Sequence, residues 1–238
     1  MNALMDKSSK ITMGEYDELL NAGGGLGSTS LVERPITAER YVAFLDIMGF
    51  KDRVARHSHD EILSELQQMS EFISTNLNGQ SDIMFVMFSD SFLFFTEYAS
   101  ETVLIRLVEL LSGVMDHAIN NKIPIKGVIA KGTFTVDIVK QLFFGQPLID
   151  AYSLEENIVI YGIVAHHTFE RDAKVMTDWF IDKDIPLKNG NSKHYLLKWW
   201  SDGEIKTVKE RLNAIRETVS DSPRRYIDKT IKAMEDAL

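Results

Sequence analysis

The chain has 238 residues, 45% of them hydrophobic and 26% charged, a mix that fits one soluble globular domain with extensions and a full core. It contains no cysteine, which excludes disulfides, thiol nucleophiles and cysteine-ligated metal centres, so any metal must be held by oxygen or imidazole. A formal net charge of −9 argues against broad charge-driven binding to nucleic acid or anionic membrane, while leaving room for a local basic pocket.

Residues 1–40 lack sustained apolar periodicity and include the run Ala22-Gly23-Gly24-Gly25-Leu26-Gly27-Ser28-Thr29-Ser30. They read as a flexible arm, with a short helix near Glu15–Asn21. The glycines do not make a phosphate-binding loop, because the closing G-K-[ST] is missing and no strand precedes them. The charged N-terminus, M-N-A-L-M-D-K-S-S-K, does not fit a secretory signal, and no apolar run approaches the ~20 residues of a membrane span. The expected location is the cytoplasm.

From Tyr41 the pattern becomes regular. An apolar strand runs to Ile47, a turn falls at Met48-Gly49, and helical stretches cover Phe50–Arg56 and Glu61–Leu77, the second with Asp60 as its N-cap. A β-hairpin follows, Ile83–Phe88 and Phe92–Thr96 around Ser89-Asp90-Ser91. Helix Glu101–Asn120 carries Val103, Leu107, Leu110, Leu111, Val114 and Ala118 at core spacing. Strand Ile125–Phe134 and a second strand piece, Leu142–Phe144, lead through Pro147 into a helix over Leu148–Glu155. Beyond it the pattern predicts a strand Ile158–Val164, a short helix Thr168–Trp179, a strand Lys193–Trp200, and two C-terminal helices split by Ser220-Asp221-Ser222-Pro223. The order β-α-β-β-α-β indicates an α+β fold of the ferredoxin-like kind, an antiparallel sheet with helices packed on it and C-terminal helices added.

Two aspartates stand out. Asp46 ends the apolar strand Y-V-A-F-L-D, and Asp90 sits at the tip of I-M-F-V-M-F-S-D-S-F-L-F-F-T. An ionised carboxylate beside strands this apolar costs several kcal/mol unless it is paired, hydrogen-bonded or bound to a cation. Hard divalent ions such as magnesium or manganese take one or two carboxylates plus the phosphates of a nucleotide. The structural alternative is a strand-ending Asp and an Asx-type turn. Phe44, two residues before Asp46, shares its strand face and is placed to stack on a base or ribose, or else to pack in the core. His166-His167 reads as packing rather than a ligand pair, because neighbours at a strand end point apart, and Trp199-Trp200 reads as packing or interface.

Four segments in this order carry a resemblance. F-L-D-I-M-G-F (44–50), F-S-D-S-F-L-F-F (88–95), I-K-G-V-I-A-K-G (125–132) and F-G-Q-P-L-I-D-A-Y-S-L-E (144–155) resemble the motifs of class III nucleotidyl cyclase catalytic domains, across about half the chain. Within that family the compactness and divergence look closest to the pyrimidine cyclases of bacterial Pycsar anti-phage systems. The resemblance implies a cyclase domain over 41–203 with a helical extension over 204–238. It also implies conversion of UTP or CTP to the 3′,5′-cyclic monophosphate and pyrophosphate. Asp46, Asp90 and the Ile47 carbonyl would hold two divalent cations, Mn2+ or Mg2+, while Met48, Gly49 and Phe50 offer backbone amides to phosphates, with Lys51 or Arg53 as phosphate contacts and Arg53 in a catalytic role. It further implies a homodimer with active sites at the interface and a separate cyclic-nucleotide-activated effector, without nucleic-acid partners or membrane insertion.

The sequence departs from the family where purine cyclases read the base, here Val86 and Leu142, neither of which hydrogen-bonds adenine through its side chain. The transition-state Asn and Arg of the family fall on Ile149 and Ser153. Lys51, Arg53, Lys126, Lys131 and Lys198 are the candidates to replace them. A purine cyclase, or a non-catalytic nucleotide-binding module, are the alternatives this leaves.

Overall fold

A computed structural model describes residues 36–79, 81–217, 219 and 221–236. The predicted arm, its Glu15–Asn21 helix and the glycine run lie outside the described residues.

The strands are β1 (Thr37–Ile47), β2 (Ile83–Phe88), β3 (Ser91–Thr96), β4 (Ile125–Asp137), β5 (Leu142–Gly145), β6 (Ile163–Ala165), β7 (Phe180–Leu187) and β8 (Gly190–Leu197). The helices are α1 (Phe50–Arg56), α2 (His59–Leu77), α3 (Glu101–Asn120), α4 (Gln146–Glu155), α5 (Glu170–Val175), α6 (Ile205–Arg216) and α7 (Asp221–Glu235). They build one mixed sheet in the order β2-β3-β1-β4-β6-β8-β7, with β5 paired to the far half of β4. The β4–β6 pair is parallel, and the other ladders are antiparallel.

Strand alternation gives the sheet two different faces. Tyr41, Ala43, Leu45 and Ile47 of β1 are buried with Met69 and Ile73 of α2 and with the apolar stripe of α3, including Leu107, Leu111 and Val114. The opposite face of β1 presents Val42, Phe44 and Asp46. Around Val42 a second, smaller cluster forms with Phe95, Phe134 and Val136. Helix α4 lies on this second face, its Pro147 against Gly132 and its Tyr152 ring edge-to-face with Phe44 at 5.5 Å.

The structure adjusts several boundaries. β1 begins at Thr37, and β4 extends to Asp137. The N-cap of α2 is Ser58 rather than Asp60: Ser58 Oγ accepts from the Glu61 amide while the Glu61 side chain takes the Ser58 amide, a full capping box. The predicted strand over 158–164 shrinks to β6, with Ile158 making an isolated bridge to Leu187, and the predicted helix over 168–179 shrinks to α5. An unforeseen strand, β7, forms a hairpin with β8 through a turn at Lys188-Asn189. Consequently β8 ends at Leu197, and Trp199 and Trp200 follow it as buried core residues packed edge-to-face. The C-terminal helices dock through Arg211 to Asp116 on α3, at 3.1 Å, and through the Tyr161 amide, which donates to Thr230 Oγ1 at 2.8 Å. No helix among the described residues is long and apolar enough to cross a membrane.

Gly127 shows how tightly β1 and β4 meet. A Cβ there would lie 2.6 Å from Leu45 Cγ and 2.7 Å from the Phe44 carbonyl oxygen. Gly127→Ala should therefore cost about 2 kcal/mol by overpacking, read as a fall in Tm of about 5 °C for a domain of this size.

Candidate functional site

The end of β1 and the tip of the β2–β3 hairpin meet at one point. Asp46 is opposite Ser91 on one side and Lys126 on the other. The hairpin turns through Ser89 and Asp90, with Ser89 in the left-handed region at φ 56°. The Ile47 amide donates to the Asp90 carbonyl at 2.9 Å, so the turn is pinned to the strand that carries Asp46. Ser91 Oγ lies 3.4 Å from Asp46 Oδ1 and donates to it.

Beneath Asp46 lies a buried ion pair that connects β4 to α4. Lys126 Nζ is 2.9 Å from Glu155 Oε1 and also donates to the carbonyls of Glu155, at 2.6 Å, and Ile158, at 3.5 Å. Both side chains are within 5% of full burial. Burial pushes the Glu155 carboxyl upward, and Lys126 opposes that shift. Asp46 is raised to about 7, first by burial, then by the charges of Glu155 and Asp90, against the lowering effects of Lys126 and the Ser91 hydroxyl. Three carboxylates thus share one lysine, a surplus of negative charge that suits a divalent cation. Among the described residues no group of three or more His, Asp or Glu side chains is arranged to hold a metal. An ion at Asp46 and Asp90 would complete its shell with backbone, water or substrate oxygens, as Mg2+ does in nucleotide sites.

The turn after β1 is shaped by Gly49, at φ 73°, the left-handed conformation that glycine adopts without strain. Nothing lies within 4 Å of where its Cβ would be, so the turn is open on that side. The Met48 amide donates to the Pro124 carbonyl at 2.8 Å, which removes it from the expected phosphate contacts. The amides of Phe50 and Lys51 belong to the first turn of α1 and have no intrahelical acceptor. Lys51 is exposed. Arg53 instead turns to α2, where its guanidinium binds Glu65 at 2.6 Å. As the protein stands, Arg53 is occupied by that carboxylate rather than aimed at Asp46 and Asp90.

Two lysines leave the list of candidates to replace the transition-state Asn and Arg. Lys126 is consumed by Glu155 and two carbonyls, and Lys131 projects to the helix-covered face, where Asp172 holds it at 3.2 Å. Lys198 follows β8, three strands from β1 in the sheet. Val86 is half-buried on the hairpin, while Leu142, Ile149 and Ser153 are exposed. The rings of His166 and His167 do not point apart: their centroids are 4.0 Å from each other, and His166 Nδ1 is 3.0 Å from Thr168 Oγ1. Sequence reasoning assigned no part to Glu155, Ser91 or Tyr152, which surround Asp46 and Phe44. The signal for Glu155 was the last residue of the segment 144–155.

No family model matches the sequence, and no curated protein matches it. Solved structures match it in shape. The catalytic core of a rhodopsin-guanylyl cyclase with converted specificity, in complex with ATPalphaS, is 17% identical over 68% of this chain and 96% of its own, with a TM-score of 0.52. The adenylyl cyclase CyaB from P. aeruginosa is 16% identical over 68% of this chain and 94% of its own, at 0.51. A bacterial light-regulated adenylyl cyclase is 11% identical over 76% of this chain and 100% of its own, at 0.52. The similarity is one of fold: the sheet and its helices have the architecture of the adenylyl and guanylyl cyclase catalytic core.

Two outcomes follow from the charges around Asp46. Lys126→Met should destabilise the protein by about 3–5 kcal/mol, because it strands a buried carboxylate; adding Glu155→Gln should restore most of the loss in urea unfolding. A carboxyl raised in the folded state contributes stability that is complete below its unfolded pKa of about 3.9 and is lost as pH rises through about 7. In metal-free protein, Asp46→Asn should therefore gain stability relative to wild type on going from acid to pH 8, measured as the difference between their unfolding midpoints.

Proposed function

We propose that this protein is a metal-dependent nucleotidyl cyclase, which closes a nucleoside triphosphate to its 3′,5′-cyclic monophosphate and releases pyrophosphate. The observation that carries the reading is the meeting of Asp46 and Asp90 at the end of β1 and the β2–β3 tip, on the sheet of a cyclase core. Cations held by Asp46, Asp90 and the Ile47 carbonyl, Mn2+ or Mg2+, would supply Lewis acidity toward the ribose hydroxyl and neutralise the leaving pyrophosphate.

The chain's own residues have separable tasks. Ser91 orients the Asp46 carboxylate, and the Lys126–Glu155 pair fixes the strand beneath it. Gly49 opens the turn to a phosphate group, which the amides of Phe50 and Lys51 and the Lys51 ammonium bind. Phe44, braced by Tyr152, offers a ring face for the base or ribose. Arg53 would reach a phosphate only on leaving Glu65. Ile149 and Ser153 supply no charged group, so more of the transition-state stabilisation falls on the carboxylate site than a cyclase with Asn and Arg there requires.

We take residues 41–203 as the cyclase domain and 204–238 as its helical extension. The exposed apolar side chains Phe88, at 81% exposure, Ile149 and Tyr152 lie around this same face and support a homodimer that encloses it. Val86 and Leu142, neither of which hydrogen-bonds adenine through its side chain, argue against adenine, and we assign a pyrimidine base, UTP before CTP. Such a product would act on a separate effector in anti-phage defence of the Pycsar kind. A purine cyclase is the second reading and fits equally, since the structures of similar fold are adenylyl and guanylyl cyclases.

Incubation with Mn2+ and each of the four triphosphates tests these readings. Cyclic UMP or CMP supports the pyrimidine assignment, cyclic AMP or GMP replaces it, and no pyrophosphate from any substrate refutes cyclase activity. Asp90→Ala should lower turnover by about 100-fold or more, the scale of losing one preorganised electrostatic contact. Ile149→Glu should shift the protein toward monomer in sedimentation velocity and lower activity in parallel.

A further inference from the structure

A cavity of about 660 Å³ opens on the helix-covered side of the sheet, between the first turn of α3 and the segment joining α5 to β7. Its floor is the cross-strand pair Tyr41–Lys131. Counting along β1 from Tyr41 to Asp46, it lies about 17 Å from the carboxylate site, at ~3.4 Å per residue, and on the other face of the sheet. Its size falls in the range of small-molecule sites.

The lining specifies a chemistry. Lys131 Nζ is held 3.2 Å from Asp172 and 5.2 Å above the Tyr41 ring, and the Tyr41 hydroxyl donates to Asp172 at 3.4 Å. Burial and the Asp172 charge push the Tyr41 phenol well above its ordinary pKa, so it stays a neutral donor. Lys131 and Asp172 neutralise each other. Glu101 and Asp178 are left on the rim with no ion-pair partner among the described residues. Trp179 and the apolar side chains of Ile105 and Val175, the last 78% exposed, also line the cavity. The Tyr41 face already carries a cation in this cavity, while Trp179 offers the second aromatic wall.

We propose that this cavity binds a small organic cation, an amine attached to a flat apolar ring, with the ring against Trp179 and the ammonium between Asp178 and Glu101. The site is separate from the carboxylate cluster, and the inference does not rest on the cyclase reading. An anion is disfavoured, because the one lysine present is already neutralised and two free carboxylates would oppose it.

Isothermal titration of the full chain with phenethylamine, 2-phenylethanol and 3-phenylpropionate tests this directly. These probes share a ring and differ in charge. Phenethylamine should bind one equivalent, with a Kd about tenfold or more below that of either of the others. Asp178→Asn, a substitution on the exposed rim, should weaken it about fivefold, the scale of one exposed charge contact, and Trp179→Leu should weaken it further. Circular dichroism confirms that each variant is folded. Absence of binding by phenethylamine overturns the proposal, as does equal binding of the anionic probe or an affinity unchanged in a folded Asp178→Asn.

Discussion

The Lys126–Glu155 ion pair is the constraint around which the second face of the sheet is organised. Taking a lysine and a glutamate out of water costs several kcal/mol for each ion, and the pair is tolerable only because the ammonium gains more than one partner. Here it also satisfies the carbonyls of Glu155 and Ile158, at the point where α4 ends and the chain turns toward β6. One side chain from β4 thereby fixes the C-terminal end of α4 over the sheet. With that end fixed, Tyr152 meets Phe44 and Pro147 lies on Gly132, so the helix runs along the face that carries Asp46.

The same pair sets the electrostatic environment of Asp46. Lys126 is in register with Asp46 and is the charge that opposes its rise, yet Glu155 already balances it. Burial first, and then the charges of Glu155 and Asp90 that one lysine cannot offset together, raise the proton affinity of Asp46. Had Lys126 been unpaired, Asp46 would be held low and the cluster would have little surplus charge to offer a cation. The burial of Asp46 and the glutamate behind it raise its affinity for positive charge, and the Asp90 hairpin, tied through the Ile47 amide, adds a further carboxylate.

Much of the architecture was legible because its signals are local. The apolar strand ending in Asp46, the Met48-Gly49 turn, the hairpin around Asp90 and the stripe of α3 are each written in adjacent or periodic residues, and they appear where the pattern put them. The cap of α2 was legible too, since Ser58 and Glu61 stand at capping-box spacing, but Asp60 offered a rival of the same chemistry. β7 was hidden: F-I-D-K-D-I-P-L has alternating charges and a proline, as an edge strand does, and its only short-range mark is the Asn189-Gly190 pair after it. The lysines could not be sorted from sequence. Lys51, Lys126 and Lys131 look alike in the chain, yet one is exposed, one is buried on a glutamate 29 residues away and one crosses to the opposite face. Partners at that separation leave no periodic trace, and for the same reason Arg53 gave no sign of Glu65.

Charge also constrains how any triphosphate reaches this face. The chain is formally −9, and the strand end concentrates three carboxylates, so a free polyanion is repelled both at a distance and at contact. The positive groups within reach of the turn are few, with Lys51 exposed and Arg53 tied to Glu65. On the cyclase reading, a nucleotide gains entry chiefly as its metal complex, whose cation offsets the phosphate charge before Asp46 and Asp90 meet it. Near neutral pH a metal-free Asp46 retains its proton in a sizeable fraction of molecules, so the arriving cation must displace that proton as it binds. Proton release and metal capture are then one event at one carboxylate, and its burial, with the charges of Glu155 and Asp90 beside it, sets the pH at which they balance.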